Sequence, residues 1–204
     1  MNERGGGRII PAASEWAKIM IDGKSLPTIA ADRVHLRWMT EQDVDALYTI
    51  FSEPEVMRYW SSPPFTDIEV ARQLLQDVHK GFESGSLFQW GVALKSDNTV
   101  IGTSTLFHFD LRNRRAEIGY ALAREHWGNG YIHEALKALL SFAFRDLNLH
   151  RIEADVDPRN SASIRTLERL GFQKEGYLRE RWLVNGEVQD ALYYGLLCHE
   201  WAFE

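Results

Sequence analysis

The sequence holds one cysteine, Cys198, so no disulfide can form within the chain, and a reducing cytoplasm is the expected compartment. Cys198 ends the apolar run Ala191–Leu197, which predicts a small buried residue rather than a nucleophile. No apolar run reaches the ~18 residues that a membrane-spanning helix needs. The N-terminal stretch carries glycines and arginine but no apolar core of a secretory signal. Positive charge is also short. Lys and Arg number 23 against 29 Asp and Glu, and a net charge of −6 argues against a general nucleic-acid binder while suiting cationic partners. The run Arg112–Arg115 is too brief to change that and reads as a solvated turn. The seven histidines are dispersed. His133-Glu134 and His199-Glu200 each begin like a zinc-protease motif, but Lys137 and Phe203 stand where its second histidine belongs. No metal site is expected. No internal repeat or low-complexity tract interrupts the chain.

What is present suffices for one globular domain. The 204 residues can bury roughly 70% of their unfolded surface. Residues 1–30 read as an extension, with a short helix over Ser14–Asp22, and residues 31–204 as the domain. Val34–Trp38 predicts a strand. Thr40 and Asp43 form a capping-box-like start to a helix with Val44, Leu47, Tyr48 and Phe51 on one face. Pro54 separates it from the aromatic and proline-rich loop Tyr59–Pro64. Thr66 and Glu69 fit a second capping box, ahead of a helix with Ala71, Leu74, Leu75, Val78 and Phe82 on one face. Leu87–Leu94 and Thr99–Phe107 read as a hairpin, Ala116–Leu122 and Arg151–Val156 as further strands. Tyr177–Val184 and Val188–Leu197 flank Asn185-Gly186, a two-residue hairpin signal. Interleaved strands and helices of this kind imply an α/β fold: a mixed sheet with helices on both faces.

One stretch organises the rest. Between the strand Ala116–Leu122 and a helix from Tyr131 to about Leu147 lies Glu125-His126-Trp127-Gly128-Asn129-Gly130. Glycines let the backbone approach a ligand, and the first turn of a helix offers amide donors without helical partners. The helix dipole adds roughly half a positive charge, so the loop suits a phosphate or pyrophosphate. The dinucleotide fingerprint would need a glycine at His133, and the ATP P-loop Gly-Lys in place of His133-Glu134. A tight strand-to-helix turn without a ligand is the alternative. A second stretch, Asp157 to Phe172, follows the strand Arg151–Val156. Asn160 is a good helix N-cap, Ile164, Leu167 and Leu170 form a stripe, and Gly171 is a natural terminator.

Trp-Gly-x-Gly-Tyr, followed about thirty residues later by Asn-x-x-Ser-x-x-x-Leu-x-x-x-Gly-Phe, resembles the GNAT superfamily of N-acetyltransferases. Within it the chain is most similar to the RimJ/RimL-like branch of ribosomal-protein N-terminal acetyltransferases. The resemblance covers roughly residues 30–200. It implies a mostly antiparallel mixed sheet with a splayed parallel pair, helices on both faces, and acetyl-CoA as acetyl donor. The pyrophosphate would be gripped by Glu125, His126, Trp127, Gly128, Asn129, Gly130 and Tyr131, chiefly through backbone amides. The strand Tyr120, Ala121, Leu122 and Ala123 would pair with the pantetheine arm, and Asn160 would hydrogen-bond it near the thioester. Glu125 departs from the pattern, which has Gln or Arg there. Many relatives place a catalytic tyrosine where Leu167 stands, so the acid role moves or vanishes; the hydroxyl of Ser163, which would also lie beside the arm, is the candidate, with a helix-start hydroxyl that only satisfies backbone groups as the alternative. Glu117 and Asp190 are the candidates for the base; Trp182 occupies the position of the branch's glutamate. Trp60 is a substrate-wall candidate.

The implied reaction is direct attack of a neutral amine on the thioester. An α-amine of pKa ~8 is roughly one-tenth neutral at pH 7, whereas lysine at ~10.4 is neutral in about one molecule in a few thousand. A weak base therefore favours a protein N-terminus, a ribosomal protein among the candidates, over lysine. Small amines such as polyamines, aminoglycosides or amino acids are the alternative acceptors, and a non-catalytic acyl-CoA sensor the alternative class. A homodimer is compatible with the resemblance; direct nucleic-acid or membrane binding is not expected.

Overall fold

The computed structural model describes residues 24–184 and 186–201. The helix expected over Ser14–Asp22 and residue Asn185 of the expected turn lie outside them. The elements run β1 (Ile29–Ala30), β2 (Val34–Arg37), a 3-10 turn (Glu41–Asp43), α1 (Val44–Ser52), α2 (Pro54–Met57), α3 (Ile68–Ser84), β3 (Leu87–Leu94), β4 (Val100–Asp110) and β5 (Arg115–Leu122). A 3-10 turn (Arg124–His126) leads to α4 (Tyr131–Arg145), β6 (Arg151–Val156), α5 (Ser161–Arg169), β7 (Gln173–Val184) and β8 (Glu187–Leu197).

Apolar spacing explains why the helices lie where they do. In α4 the buried stripe Ala135, Leu136, Leu139, Leu140 and Ala143 repeats at three and four residues, one face of a 3.6-residue helix. In α3 the stripe is Ala71, Leu75, Val78 and Phe82, and Gly85 ends the helix in the left-handed conformation at φ 71°. The N-cap of α3 is Asp67, one residue later than the Thr66 start that the sequence suggests. Its carboxylate accepts the Glu69 amide at 2.8 Å. Pro54 opens α2 at a position where a missing N–H costs nothing, rather than only separating α1 from the loop. Asp43 ties α1 to the sheet. Its carboxylate accepts two bonds from the Arg37 guanidinium, at 2.7 and 2.9 Å, and the Thr40 amide at 2.8 Å.

The strands form one eight-stranded sheet in the order β1-β2-β3-β4-β5-β6-β8-β7. All neighbours are antiparallel except β5 and β6. Two apolar clusters cover its faces. One joins α1, α2 and most of α3 to Ala93, Val100, Ala121 and Ala123; the other joins α4, Leu167 of α5 and Leu170 at its end to Trp90, Leu106, Ile118, Ile152 and Tyr194. The α/β sheet with helices on both faces is thus the fold expected, with β1 and a longer β7 added. Leu26 is buried and the Trp90 indole donates to the Pro27 carbonyl at 2.9 Å, so ordered packing begins ahead of residue 31. Cys198 is half-buried rather than fully buried, with its sulfur 3.5 Å from His150 Nδ1. Among the described residues no helix is long and apolar enough to cross a membrane.

Candidate functional site

The site arises where β5 and β6 part. They pair only at Arg115↔Arg151, Ala116↔Ile152 and Glu117↔Glu153. Glu153 is 5% exposed at that last pair, held by Arg151 Nε at 2.7 Å and Arg115 Nη1 at 3.0 Å. Beyond it β5 has a free edge on the β6 side. Ala123 donates its amide to Ile101 at 2.8 Å, on the β4 side, while the Leu122 carbonyl accepts the Trp127 indole at 2.7 Å. Alternation along the strand then turns the backbone groups of Ile118, Tyr120 and Leu122 toward the opening.

At the end of β5 the glycine loop leads into α4. Gly130, at φ 80°, is the helix N-cap, and Gly128 has φ 77°. Both angles are strained for residues with a side chain. A β-carbon on Gly128 would meet no atom within 4 Å, so the space before the helix N-terminus is open. Asn129 Nδ2 donates to the carbonyls of His126 and Trp127, each at 3.2 Å, and folds the loop on itself. The Glu125 carboxylate stands 3.4 Å from His126 Nε2 with its side chain 76% exposed. It does not line the groove, which removes the repulsion that a carboxylate would exert on a phosphate there.

Two cavities meet at the splay. The first, about 410 Å³, runs from the glycine loop along Tyr120, Ala121 and Leu122 to α5, and includes Trp127, Gly128, Gly130 and Ile132. The second, about 330 Å³, lies between β4, β5, the exit of β6 and the β7–β8 hairpin. Tyr59, Trp60, Tyr120, Asn160 and Ser163 border both. Of the residues expected at the cofactor, Ala123, Glu125, His126, Asn129 and Tyr131 are not in the groove wall. Tyr131 instead lies under the Arg33 guanidinium, 4.7 Å from its ring centre.

At the junction, Asn160 caps α5 by accepting the Ser163 amide at 3.1 Å. The Ser163 hydroxyl is 2.6 Å from the Tyr120 hydroxyl. Burial pushes the Tyr120 phenol up to about 12, with the Ser163 contact acting in the opposite sense, so it stays protonated at neutral pH. Leu167 is buried in the core and offers no chemistry. A tyrosine hydroxyl does reach this junction, from Tyr120 on β5, which the sequence pattern marked only for its backbone.

The second cavity is lined by four carboxylates: Glu117, Asp155, Asp157 and Asp190. Arg181 lies 3.3 Å from Asp155, and Arg159 is 2.7 Å from Asp157. Burial raises the Asp157 carboxyl, but the Arg159 contacts prevail and hold it below the usual range. Asp190 accepts the Tyr177 hydroxyl and, at 2.8 Å, the Glu180 amide; the Tyr177 bond first, then the amide, lower its pKa. Glu117 Oε1 is 3.1 Å from His108 Nδ1. Glu117 and Asp190 are therefore the two carboxylates of this cavity without a guanidinium partner. Trp60 forms part of the wall, edge-on to Phe51 at 5.3 Å. Trp182 is also in the wall, its indole donating to Asp155 at 3.1 Å.

Comparison with known proteins shows the family. The family described as acetyltransferase (GNAT) domain matches residues 33–173. The uncharacterized N-acetyltransferase p20 of Bacillus licheniformis is 40% identical over 177 residues, covering 87% of this chain and 99% of that protein. Among solved structures, Mycobacterium smegmatis RimJ in complex with CoA-disulfide superposes with a TM-score of 0.75 at 26% identity, over 85% of this chain and 88% of the other. Spermidine N-acetyltransferase from Vibrio cholerae, in complex with CoA and spermine, superposes with a TM-score of 0.73 at 25% identity, over 82% and 97% of the two chains.

Proposed function

The chain belongs to the GNAT acetyltransferase family and is an N-acetyltransferase, and from that premise we propose that it moves the acetyl group of acetyl-CoA to the α-amine of a protein or peptide N-terminus in the cytoplasm. Acetyl-CoA is a substrate consumed at each turnover. The first cavity fits it: amides at the start of α4 for the pyrophosphate, the free edge of β5 for the amide-bearing pantetheine arm, and the Asn160–Ser163–Tyr120 group at its inner end for the thioester. RimJ and the spermidine enzyme, of the same fold, hold CoA species.

The observation that carries the acceptor assignment is the charge of the second cavity. A single ammonium needs one or two carboxylates that no guanidinium holds, and Asp190 and Glu117, the latter beside His108, meet that need. Asp155 and Asp157 are already neutralised by guanidinium groups. Departure of the CoA thiolate is assisted from the opposite face of the sheet. The Tyr120 phenol, kept protonated, shares with the Ser163 hydroxyl a hydrogen bond that either can donate; with Tyr120 as donor, the serine proton is free to point at the sulfur.

A peptide with a free N-terminus and an internal lysine tests this. After reaction with acetyl-CoA, fragment mass spectrometry is expected to place the acetyl group on the α-amine alone; modification of lysine at a comparable rate would overturn the assignment. The second reading, a polyamine acceptor, draws on the same four carboxylates and on the spermine held by the Vibrio relative. It requires Asp155 and Asp157 to exchange their arginines for substrate.

A further inference from the structure

On the reading just given, the base that frees the acceptor amine is still to be named. We propose that it is the imidazole of His108, held in place by Glu117.

The backbone places this side chain where ordinary strand geometry would not. Directly opposed residues of antiparallel strands point to the same face, and successive residues to opposite faces. Phe107 is paired with Glu117, so regular alternation would send His108 to the other side of the sheet. Instead the register of β4 against β5 shifts between Phe107 and Asp110, and His108 adopts φ 50°. A bulge of this kind re-aims a side chain. Here the rings of Phe107 and His108 come to lie 4.7 Å apart, on the same side, and His108 Nδ1 reaches 3.1 Å from Glu117 Oε1. A positive φ is uncommon for a residue other than glycine, and such strain is found where the surrounding structure holds a functional side chain in place.

Both members of the pair line the second cavity, at the point where β5 and β6 separate. Glu117 shares its face of the sheet with Gly119 and Ala121, on the α1–α3 side, whereas Tyr120 and Ser163 meet on the α4–α5 side. Proton acceptor and proton donor therefore stand on opposite sides of the place where the thioester would lie. The His108 side chain is 67% exposed, which gives its proton a route to bulk water after each turnover. The other charged and titratable groups of this cavity are Asp155 and Asp157 at the end of β6, Asp190 on β8, and the phenols of Tyr59 and Tyr120. Tyr193 on β8 also acts on Glu117; burial pushes its phenol up to about 12, so it brings no negative charge.

The step balances. The neutral imidazole takes one proton from the acceptor ammonium and later releases it to water. The freed nitrogen lone pair forms the C–N bond, and the thioester carbonyl becomes an alkoxide. That alkoxide re-forms the carbonyl as the C–S bond breaks, its electron pair leaving on sulfur. Having passed the first proton to water, the imidazole takes the remaining surplus proton from nitrogen, while Ser163 gives its proton to the thiolate and is reprotonated from solvent, giving the amide and CoA thiol. Glu117 in this scheme is a positioning residue that fixes the tautomer and direction of the ring.

The test is the pH dependence of kcat/KM toward a peptide with a free N-terminus, for wild type, His108→Asn and Glu117→Gln. Asn tolerates the left-handed backbone at position 108, so the bulge is kept. At pH 7 a loss of about 100-fold is expected for His108→Asn and about tenfold for Glu117→Gln, with acetyl-CoA affinity unchanged. Both deficits should shrink as pH rises past ~8, because the amine then loses its proton unaided. A deficit that stays constant with pH, or no deficit in folded variants, would overturn the role of His108 and leave the acetyltransfer reading intact. Failure of the wild type to acetylate any peptide N-terminus while binding acetyl-CoA would remove the acceptor reading itself, and this proposal with it.

Discussion

At the scale of single residues, the Tyr120–Ser163 pair makes the sharpest claim. Two hydroxyls 2.6 Å apart that act as one proton-delivering unit should not contribute independently. Ser163→Ala is expected to lower kcat by about 100-fold and Tyr120→Phe by about tenfold. The double variant should be no slower than Ser163→Ala alone, in steady-state kinetics with acetyl-CoA saturating. Losses that multiply would show that the two side chains serve separate ends. Asn160 was legible in the sequence as a helix cap because a helix start has a local signature, a capping side chain and then an apolar stripe at fixed spacing, whereas Ser163 was singled out by the resemblance alone. The Tyr120 hydroxyl and His108 were not legible. The first meets its partner across 43 positions of sequence, and the second depends on a β-bulge, which leaves no mark in the pattern of apolar residues.

At the scale of elements, the glycine loop and the α1 anchor each make a prediction. Gly130→Asp places a side chain at φ 80° and a negative charge at the helix N-terminus that the pyrophosphate would occupy. Backbone strain of this kind costs about 1–3 kcal/mol. Titration calorimetry should show acetyl-CoA binding weakened by more than about tenfold, and less weakened in Gly130→Ala, which adds the strain without the charge. Equal affinity in a folded Gly130→Asp protein would remove the loop from the cofactor site. Asp43 is the structural counterpart. Burial raises its carboxyl, but the Arg37 and Thr40 hydrogen bonds outweigh that and hold it below the ordinary value. Its stabilising contribution is complete above the unfolded-state value of ~3.9 and fades as pH falls through the lower folded-state value. Asp43→Ala leaves the Arg37 guanidinium, 17% exposed, without its carboxylate, and about 3 kcal/mol of stability should be lost in urea denaturation at pH 7. The wild-type advantage over that variant should narrow only at the acid end. Element type was readable from periodicity, whereas element edges were not. Thr66 and Asp67 are both good caps, and only the packed helix decides between them. β7 begins at Gln173, ahead of the expected Tyr177, because it pairs with β8 through a register shift between Lys174 and Gly176.

At the scale of the whole molecule, the parting of β5 and β6 makes the protein an enzyme rather than a closed sheet. The parallel pair is held at its root by the Arg115–Glu153–Arg151 cluster and opens immediately beyond it, leaving an unpaired backbone edge between two cavities. Sheet class, the helices on both faces and the glycine loop could be read from the sequence, because each rests on local pattern. The division of the cavity carboxylates into those with and those without a guanidinium could not, since Arg159 and Arg181 reach their partners only in the folded chain. That division separates the two acceptor classes. The most direct measurement is the initial rate of acetyl transfer, at pH 7 with acetyl-CoA, to an unblocked peptide, to the same peptide blocked at its N-terminus, and to spermidine. A rate confined to the unblocked peptide is the predicted result, and faster transfer to spermidine would contradict it.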